Sequence, residues 1–283
     1  EEHASLAGDK SMDFFAALFP VEYVFSVNEL AASQYKRKPQ KIEKIVVFAD
    51  PHGDLPAASQ NAVWLERMHG ENIRLKTFVN KSASLENFKK EINSSDIIIL
   101  STHGLYDANN PLRSCIVFSD AELTLGEIFN DLVITNNPLV MLCACESGVT
   151  RIGNEDGAGG ISGALLSAGA ACVLSSHWPV EDISMGYITE EFIQNLLNHQ
   201  ITPSEALYNA IQNTRKLDKA AIVGRCQELL TYMSDKNQAS ASQGATLKLH
   251  KFKMKIEKSD NPVPFDQFNI WGGLTINGCG WHI

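Results

Sequence analysis

Two residues of the kind that perform thiol chemistry stand at the ends of two apolar runs. Cys145 closes Leu139-Val140-Met141-Leu142-Cys143-Ala144-Cys145 before Glu146-Ser147-Gly148. His103 closes Asp96-Ile97-Ile98-Ile99-Leu100-Ser101-Thr102-His103 before Gly104. A free cysteine thiol has a pKa of about 8.5, so at neutral pH it needs a neighbouring base to become the nucleophilic thiolate. An imidazole facing it takes that proton and later returns it to a leaving amine. Both runs are short, continuous and aliphatic, the pattern of strands buried on both faces, and both break at polar residues and glycine. His103 and Cys145 are therefore expected at the carboxyl ends of neighbouring parallel strands, where open α/β sheets hold their chemistry and strand tips lie about 5 Å apart. Other readings of the same residues stay open. Cysteine is a common core residue, and Cys143-x-Cys145 with His103 supplies part of a metal-ligand set. Cys143, inside the apolar run, is expected in the core.

The elements that must position this pair follow from periodicity. Strands are expected over 45–49, 73–79 (alternating, towards an edge), 96–103, 139–145, 171–179 and 268–276. Helices are expected over 56–68, after the cap Ser84, from the capping box Thr124-x-x-Glu127, around 161–166, and from Asp182 to about His199. A further capping box, Thr202-Pro203-Ser204-Glu205, opens a helix to about Leu217, with more helix to Met233. Alternation of strand and helix implies a mainly parallel sheet covered by helices. Asp50-Pro51-His52-Gly53 reads as a turn after the first strand. Residues 104–138 form a long excursion after His103, expected to serve as a substrate wall.

Residues 1–41 are expected to strap onto a domain spanning 42–283. Within that domain, 234–244 is polar and low in complexity. The stretch 247–256 alternates lysines with apolar residues, with one slip between Leu249 and Phe252, and reads as a lysine-protected edge strand with a bulge. Segment 234–260 is thus expected to be an insertion that gates the site or docks a partner.

The bulk properties narrow the function classes. The chain has 283 residues, 44% of them hydrophobic and 20% charged, with a net charge of −9. That acidity argues against direct nucleic-acid binding, which needs a basic surface. Six cysteines scattered in apolar runs point to a reducing, cytoplasmic setting. No run reaches the roughly 18 apolar residues of a membrane helix, and the start lacks the positive flank of a signal peptide. Gly157-Ala158-Gly159-Gly160 and Gly163 do not have phosphate-loop spacing. No cofactor and no metal are expected.

The ordered motifs Ser101-Thr102-His103-Gly104, Leu142-Cys143-Ala144-Cys145-Glu146-Ser147-Gly148, Gly157-Ala158-Gly159-Gly160, and Ser176-His177-Trp178-Pro179-Val180-Glu181-Asp182 resemble the CHAT family of caspase-like cysteine peptidases. Pro203-Ser204-Glu205-Ala206-Leu207 and Phe268-Asn269-Ile270-Trp271-Gly272-Gly273 extend the likeness over roughly residues 20–283. The resemblance implies a caspase-like six-stranded, mainly parallel sheet sandwiched by helices. It also implies a cysteine endopeptidase with His103 as base, Cys145 as nucleophile, and the backbone N–H groups of Gly104 and Cys145 as oxyanion hole. Relatives place such a peptidase behind a sensor region or an activating partner, often in bacterial defence. The chain is therefore expected to be the peptidase part of a longer protein, acting on a protein substrate. The rival reading is an inactive peptidase-like module that only binds partners. In related folds the wall after the fifth strand selects the residue before the cut. Here that wall carries Trp178, Glu181 and Asp182, with Glu155 and Asp156 on the loop after Cys145. Carboxylates at one rim favour Arg or Lys over Asp in the substrate, with Asp182 as pocket floor; Asp182 equally suits a helix cap.

Overall fold

Residues 18–33, 41–68, 73–143, 160–199, 201–234 and 243–278 are described by the computed structural model of the protein. The strands are β1 (Glu22–Tyr23), β2 (Lys44–Ala49), β3 (Arg74–Val79), β4 (Ile97–Ser101), β5 (Gly104–Leu105), β6 (Cys115–Val117), β7 (Glu122–Thr124), β8 (Leu139–Leu142), β9 (Cys172–Ser176) and β10 (Leu274–Asn277). The helices are α1 (Val27–Ser33), α2 (Pro56–Met68), α3 (Leu85–Glu91), α4 (Leu125–Asp131), α5 (Ile161–Ala168), α6 (Asp182–His199), α7 (Pro203–Arg215), α8 (Lys219–Ser234), α9 (Gln243–Glu257) and α10 (Phe268–Trp271).

Seven strands make the main sheet in the order β1-β10-β9-β8-β4-β2-β3. All neighbours pair parallel except β9 with β10. The six expected strands are all present. The seventh is the two-residue β1, drawn from the amino-terminal strap and held at the β10 edge, where Gly278 N–H also donates to Tyr23 O at 2.8 Å. The period of two sends alternate residues to opposite faces, and both faces are dry. Val47, Ile99, Met141 and Leu174 pack under α2, α6, α7, α8 and α9. Val46, Phe48, Ile98, Leu100, Val140 and Val173 pack under α3, α4 and α5. On this second face Phe48 stacks on Phe78 at 4.9 Å and meets Phe88 and Phe118 edge-on.

The caps lie where the sequence places them. Ser84 Oγ accepts from Asn87 N–H at 3.2 Å, and the Thr124/Glu127 and Thr202/Glu205 boxes are both closed. The 104–138 excursion folds into a three-stranded antiparallel sheet, β5-β6-β7, followed by α4.

Two expectations need correction. Residues 247–256 are not an edge strand but most of helix α9. The buried residues of the helix, Ala245, Leu249 and Ile256, with half-buried Phe252, recur every three or four positions, so the apparent bulge is the helical period. The last strand is shorter than 268–276: Phe268–Trp271 is a helical turn, and β10 starts at Leu274. Helix α2 buries Ala57, Ala58, Ala62 and Leu65, leaving Val63 and Trp64 half-buried.

Gly169 ends α5 in the left-handed region (φ 123°), with its N–H donating to Leu165 O and Leu166 O. A Cβ there would lie 2.0 Å from Ile134 O. Gly169→Ala is expected to lower the unfolding free energy by at least about 2 kcal/mol, because both the backbone conformation and the contact are lost to any side chain. Urea unfolding against the parent protein checks this.

Candidate active site

The chain begins its parallel layer one strand in from the β3 edge of the sheet. β2 pairs with β3 on one side and with β4 on the other, so the order reverses between β2 and β4. The connections through α2 and α3 lie on opposite faces and leave a crevice at the carboxyl ends of these two strands, the usual ligand position in such sheets. Register sets the rest: Ala49 lies opposite Ser101, and Leu100 opposite Leu142. The residues that follow, Asp50, Thr102-His103 and Cys143, leave the sheet side by side.

Asp50 organises the first of these tips. It sits at φ 49° and is 3% exposed. Its carboxylate accepts from Asp54 N–H at 2.7 Å, Leu55 N–H at 2.8 Å and Ser59 Oγ at 2.8 Å. Bonds of this charge-assisted kind contribute about 1.5–3 kcal/mol each. They fold the loop so that Asp54 Oδ1 lies 2.8 Å from His103 Nε2. His103 is held from the other side by its backbone: its carbonyl accepts from Val117 N–H at 2.9 Å, and Thr102 Oγ1 donates to Val117 O. The exposed His52, read from sequence as a turn residue, places its ring parallel to that of His103 at 6.5 Å.

An ionised carboxylate only accepts, so in this contact a neutral His103 has its N–H on Nε2 and presents Nδ1 as an acceptor. That is the arrangement of a base with its orienting group. Asp54 is the cavity residue beside His103 that the sequence reading misses. Its signal was an acidic residue four places beyond a strand tip, and only the β2–β4 register connects it to His103.

These groups line a cavity of about 380 Å³ that also receives Ser101, Cys143 and Thr189, and is bounded by α2, α6 and α9. Cys143, expected in the core, is half-buried there, with Sγ 3.5 Å from Thr189 Oγ1. Burial pushes its thiol up to about 11, which makes it a poor nucleophile at neutral pH. Cys145, Glu155 and Asp156 lie outside the described residues. Gly104 opens β5, opposite Ile116. Trp178 follows β9 but is not among the cavity's lining residues. Its Nε1 donates to Asn269 O at 2.8 Å, its ring meets Phe268 at 5.5 Å, and Gly273 leaves the space that it fills.

Asp182 is the first residue of α6 and lines the cavity beside Glu181. It caps a helix other than its own: Oδ2 accepts from Ala57 N–H, in the first turn of α2, at 2.8 Å. Burial pushes its carboxyl up from 3.8 to about 7; the Ala57 bond opposes this, and the charges of Asp50 and Asp54 add to it. Between about pH 4 and about pH 7 the folded protein thus holds a proton that the unfolded chain has lost. Stability falls as pH rises through that window and levels off above it. Glu190, buried beside Arg225, is also raised to about 7 and adds to the same decline. Asp182→Asn keeps an acceptor for Ala57 and removes one of the two contributions. The variant is expected to gain on the parent by up to about 1 kcal/mol per pH unit between about pH 5 and about pH 7. A stability difference that stays constant across urea unfolding at these pH values would contradict it.

The sequence matches the model of the CHAT domain over residues 3–278. No curated protein matches it. Among solved structures, the separase–securin complex of Saccharomyces cerevisiae aligns at a TM-score of 0.52 and 17% identity, covering 69% of this chain and 13% of that one. The complex of the pro- and mature domains of Porphyromonas gingivalis RgpB aligns at 0.45 and 12%, covering 88% of this chain and 51% of that one. The chain thus spans about an eighth of the first protein and about half of the second. No helix among the described residues is long and apolar enough to cross a membrane. The chain belongs to the CHAT domain family, and its fold is that of the caspase-like cysteine peptidases.

Proposed function

We propose that the protein is a cysteine endopeptidase with His103 as base and Cys145 as nucleophile. The observation that carries the reading is His103, fixed at the topological switch point by Asp54 at 2.8 Å and facing a cavity of substrate size. In the sequence Cys145 lies two residues beyond Cys143, which directly follows the neighbouring strand β8. The Cys145 thiol passes its proton to His103 Nδ1, and the thiolate attacks the scissile carbonyl carbon, forming a C–S bond. The backbone N–H groups of Gly104 and Cys145 receive the developing oxyanion. His103 then protonates the leaving amine as the C–N bond breaks, and water hydrolyses the thioester. Asp54 holds the imidazole in the tautomer this requires and stabilises the imidazolium.

Asp182 is the floor of the specificity pocket, with Glu155 and Asp156 adding negative charge and Trp178 stiffening the rim. A carboxylate has room for about four hydrogen bonds, so those from Ala57 and Ala58 leave capacity for a guanidinium or ammonium. A bound cation lowers the carboxyl of Asp182 and keeps it charged. In keeping with the family, the peptidase works behind a sensor region or an activating partner in a bacterial defence response. The free thiols Cys115, Cys143, Cys172 and Cys226 support a reducing, cytoplasmic setting.

Cys145→Ala and His103→Ala are each expected to abolish cleavage of a protein substrate with the fold intact by circular dichroism. Full cleavage by Cys145→Ala ends the proposal, and if Cys145 is no more reactive to iodoacetamide than the buried thiols, a binding-only module becomes the better account. Asp54→Asn is expected to lower kcat by roughly 10²- to 10⁴-fold with little change in KM. Fluorogenic peptides are expected to be cut after Arg or Lys and not after Asp. Asp182→Asn should erase that preference, and efficient cleavage after Asp contradicts it.

A further inference from the structure

Helix α9 has two working faces. Its inner face supplies Ala245, Lys248, Leu249 and Phe252 to the wall of the His103 cavity. Leu249, Phe252 and Ile256 join the core layer that also holds Leu229 of α8, and Phe252 meets Phe265 at 6.4 Å. The carboxyl end is tied down beyond the helix, where Lys219 Nζ donates to Ser259 O at 2.6 Å. The outer face follows the same helical spacing: Leu247, Lys251, Met254 and Lys258 are exposed, the leucine at 55% and the methionine at 52%. His250 and Lys255 flank this line and are exposed too.

The charge on this face is opposite to that of the protein as a whole. Between residues 243 and 258 five lysines stand against one glutamate, Glu257, which Lys253 engages at 2.8 Å. The whole chain carries −9, so everything outside the helix is more acidic still. A cationic strip with two exposed apolar side chains along its centre fits an anionic chain that also offers apolar groups. We propose that the outer face of α9 docks an acidic, partly apolar segment of a partner protein, and that docking there changes access to the cavity walled by the inner face. The second half rests on the reading of that cavity as the active site.

A polypeptide is favoured over the two other anionic surfaces by the same observations. A membrane helix at an interface needs a broad apolar face, and the apolar face of α9 is spent on the core. A nucleic acid needs cationic surface beyond one helix, and the surrounding protein repels it. A single acidic segment spans the strip and ends where the negative surface begins.

The test uses the full chain carrying Cys145→Ala, so that neither binding nor access depends on catalysis. The probe is a fluorescent peptide of about 16 residues, rich in Glu with Leu at every fourth position. Anisotropy is expected to show binding in the micromolar range that weakens steeply with salt. Lys251→Glu/Lys255→Glu/Lys258→Glu, none of which lines the cavity, is expected to weaken it at least tenfold. The corresponding triple glutamine variant should lie in between. Access is read from the rate at which iodoacetamide alkylates Cys143, followed by mass spectrometry. Saturating peptide is expected to change that rate at least threefold in the parent and not in the triple variant. Equal binding by parent and triple variant overturns the docking face, as does tighter binding of phosphatidylserine vesicles or of single-stranded RNA than of the peptide. Binding without a change in Cys143 alkylation overturns the coupling to the cavity. These outcomes leave the peptidase reading untouched, and loss of cleavage in His103→Ala leaves them untouched in turn.

Discussion

The site depends first on strand register. β2, β4 and β8 are parallel and paired so that Ala49, Ser101 and the residue after Leu142 finish at nearly the same level. A slip of one residue in any of these pairs would turn His103 or Cys143 to the opposite face. Such a slip is barred by packing, because Ile97 to Leu100 and Leu139 to Leu142 are buried on both sides of the sheet and their alternate residues belong to two separate cores. Hydrophobic burial on two faces thus fixes the position of polar groups at the edge.

The second constraint is the treatment of the α2 amino terminus. Four N–H groups there lack partners within the helix. Asp50 satisfies the approach to the helix from within the loop, and Asp182 reaches in from α6 to take Ala57 N–H. Two carboxylates at one helix end suit the macrodipole, but burial pushes the Asp182 carboxyl up to about 7, and the charge of Asp50 adds to that rise. The same arrangement ties the loop carrying Asp54 to the cavity wall carrying Asp182. The orientation of His103 and the shape of the cavity are therefore linked through the first turn of one helix.

Around this the architecture separates rigid from adjustable parts. The β5-β6-β7 sheet clamps the His103 backbone through Val117, and the indole of Trp178 locks the β9 exit against Asn269 and Gly273. The α9 wall is held differently, by a row of side chains on α8 and a tie at its end, and it takes no part in the sheet.

The sequence by itself determined the inner strands of the main sheet, their alternation with helices, three caps and the tip position of His103, but not β1 or the start of β10. Each of these rests on local periodicity or on a few neighbouring residues, so no distant contact is needed to read it. The resemblance of the ordered motifs led to the family in the same way. Tertiary structure decided what depends on pairing across the chain. It brought Asp54 to His103, 49 positions away, and turned Asp182 to Ala57, 125 positions away. It added β1 to the edge of β10. It also made 247–256 a helix, because a lysine-rich stretch with apolar residues at mixed spacing fits either period until a neighbouring helix such as α8 offers a surface for one of them.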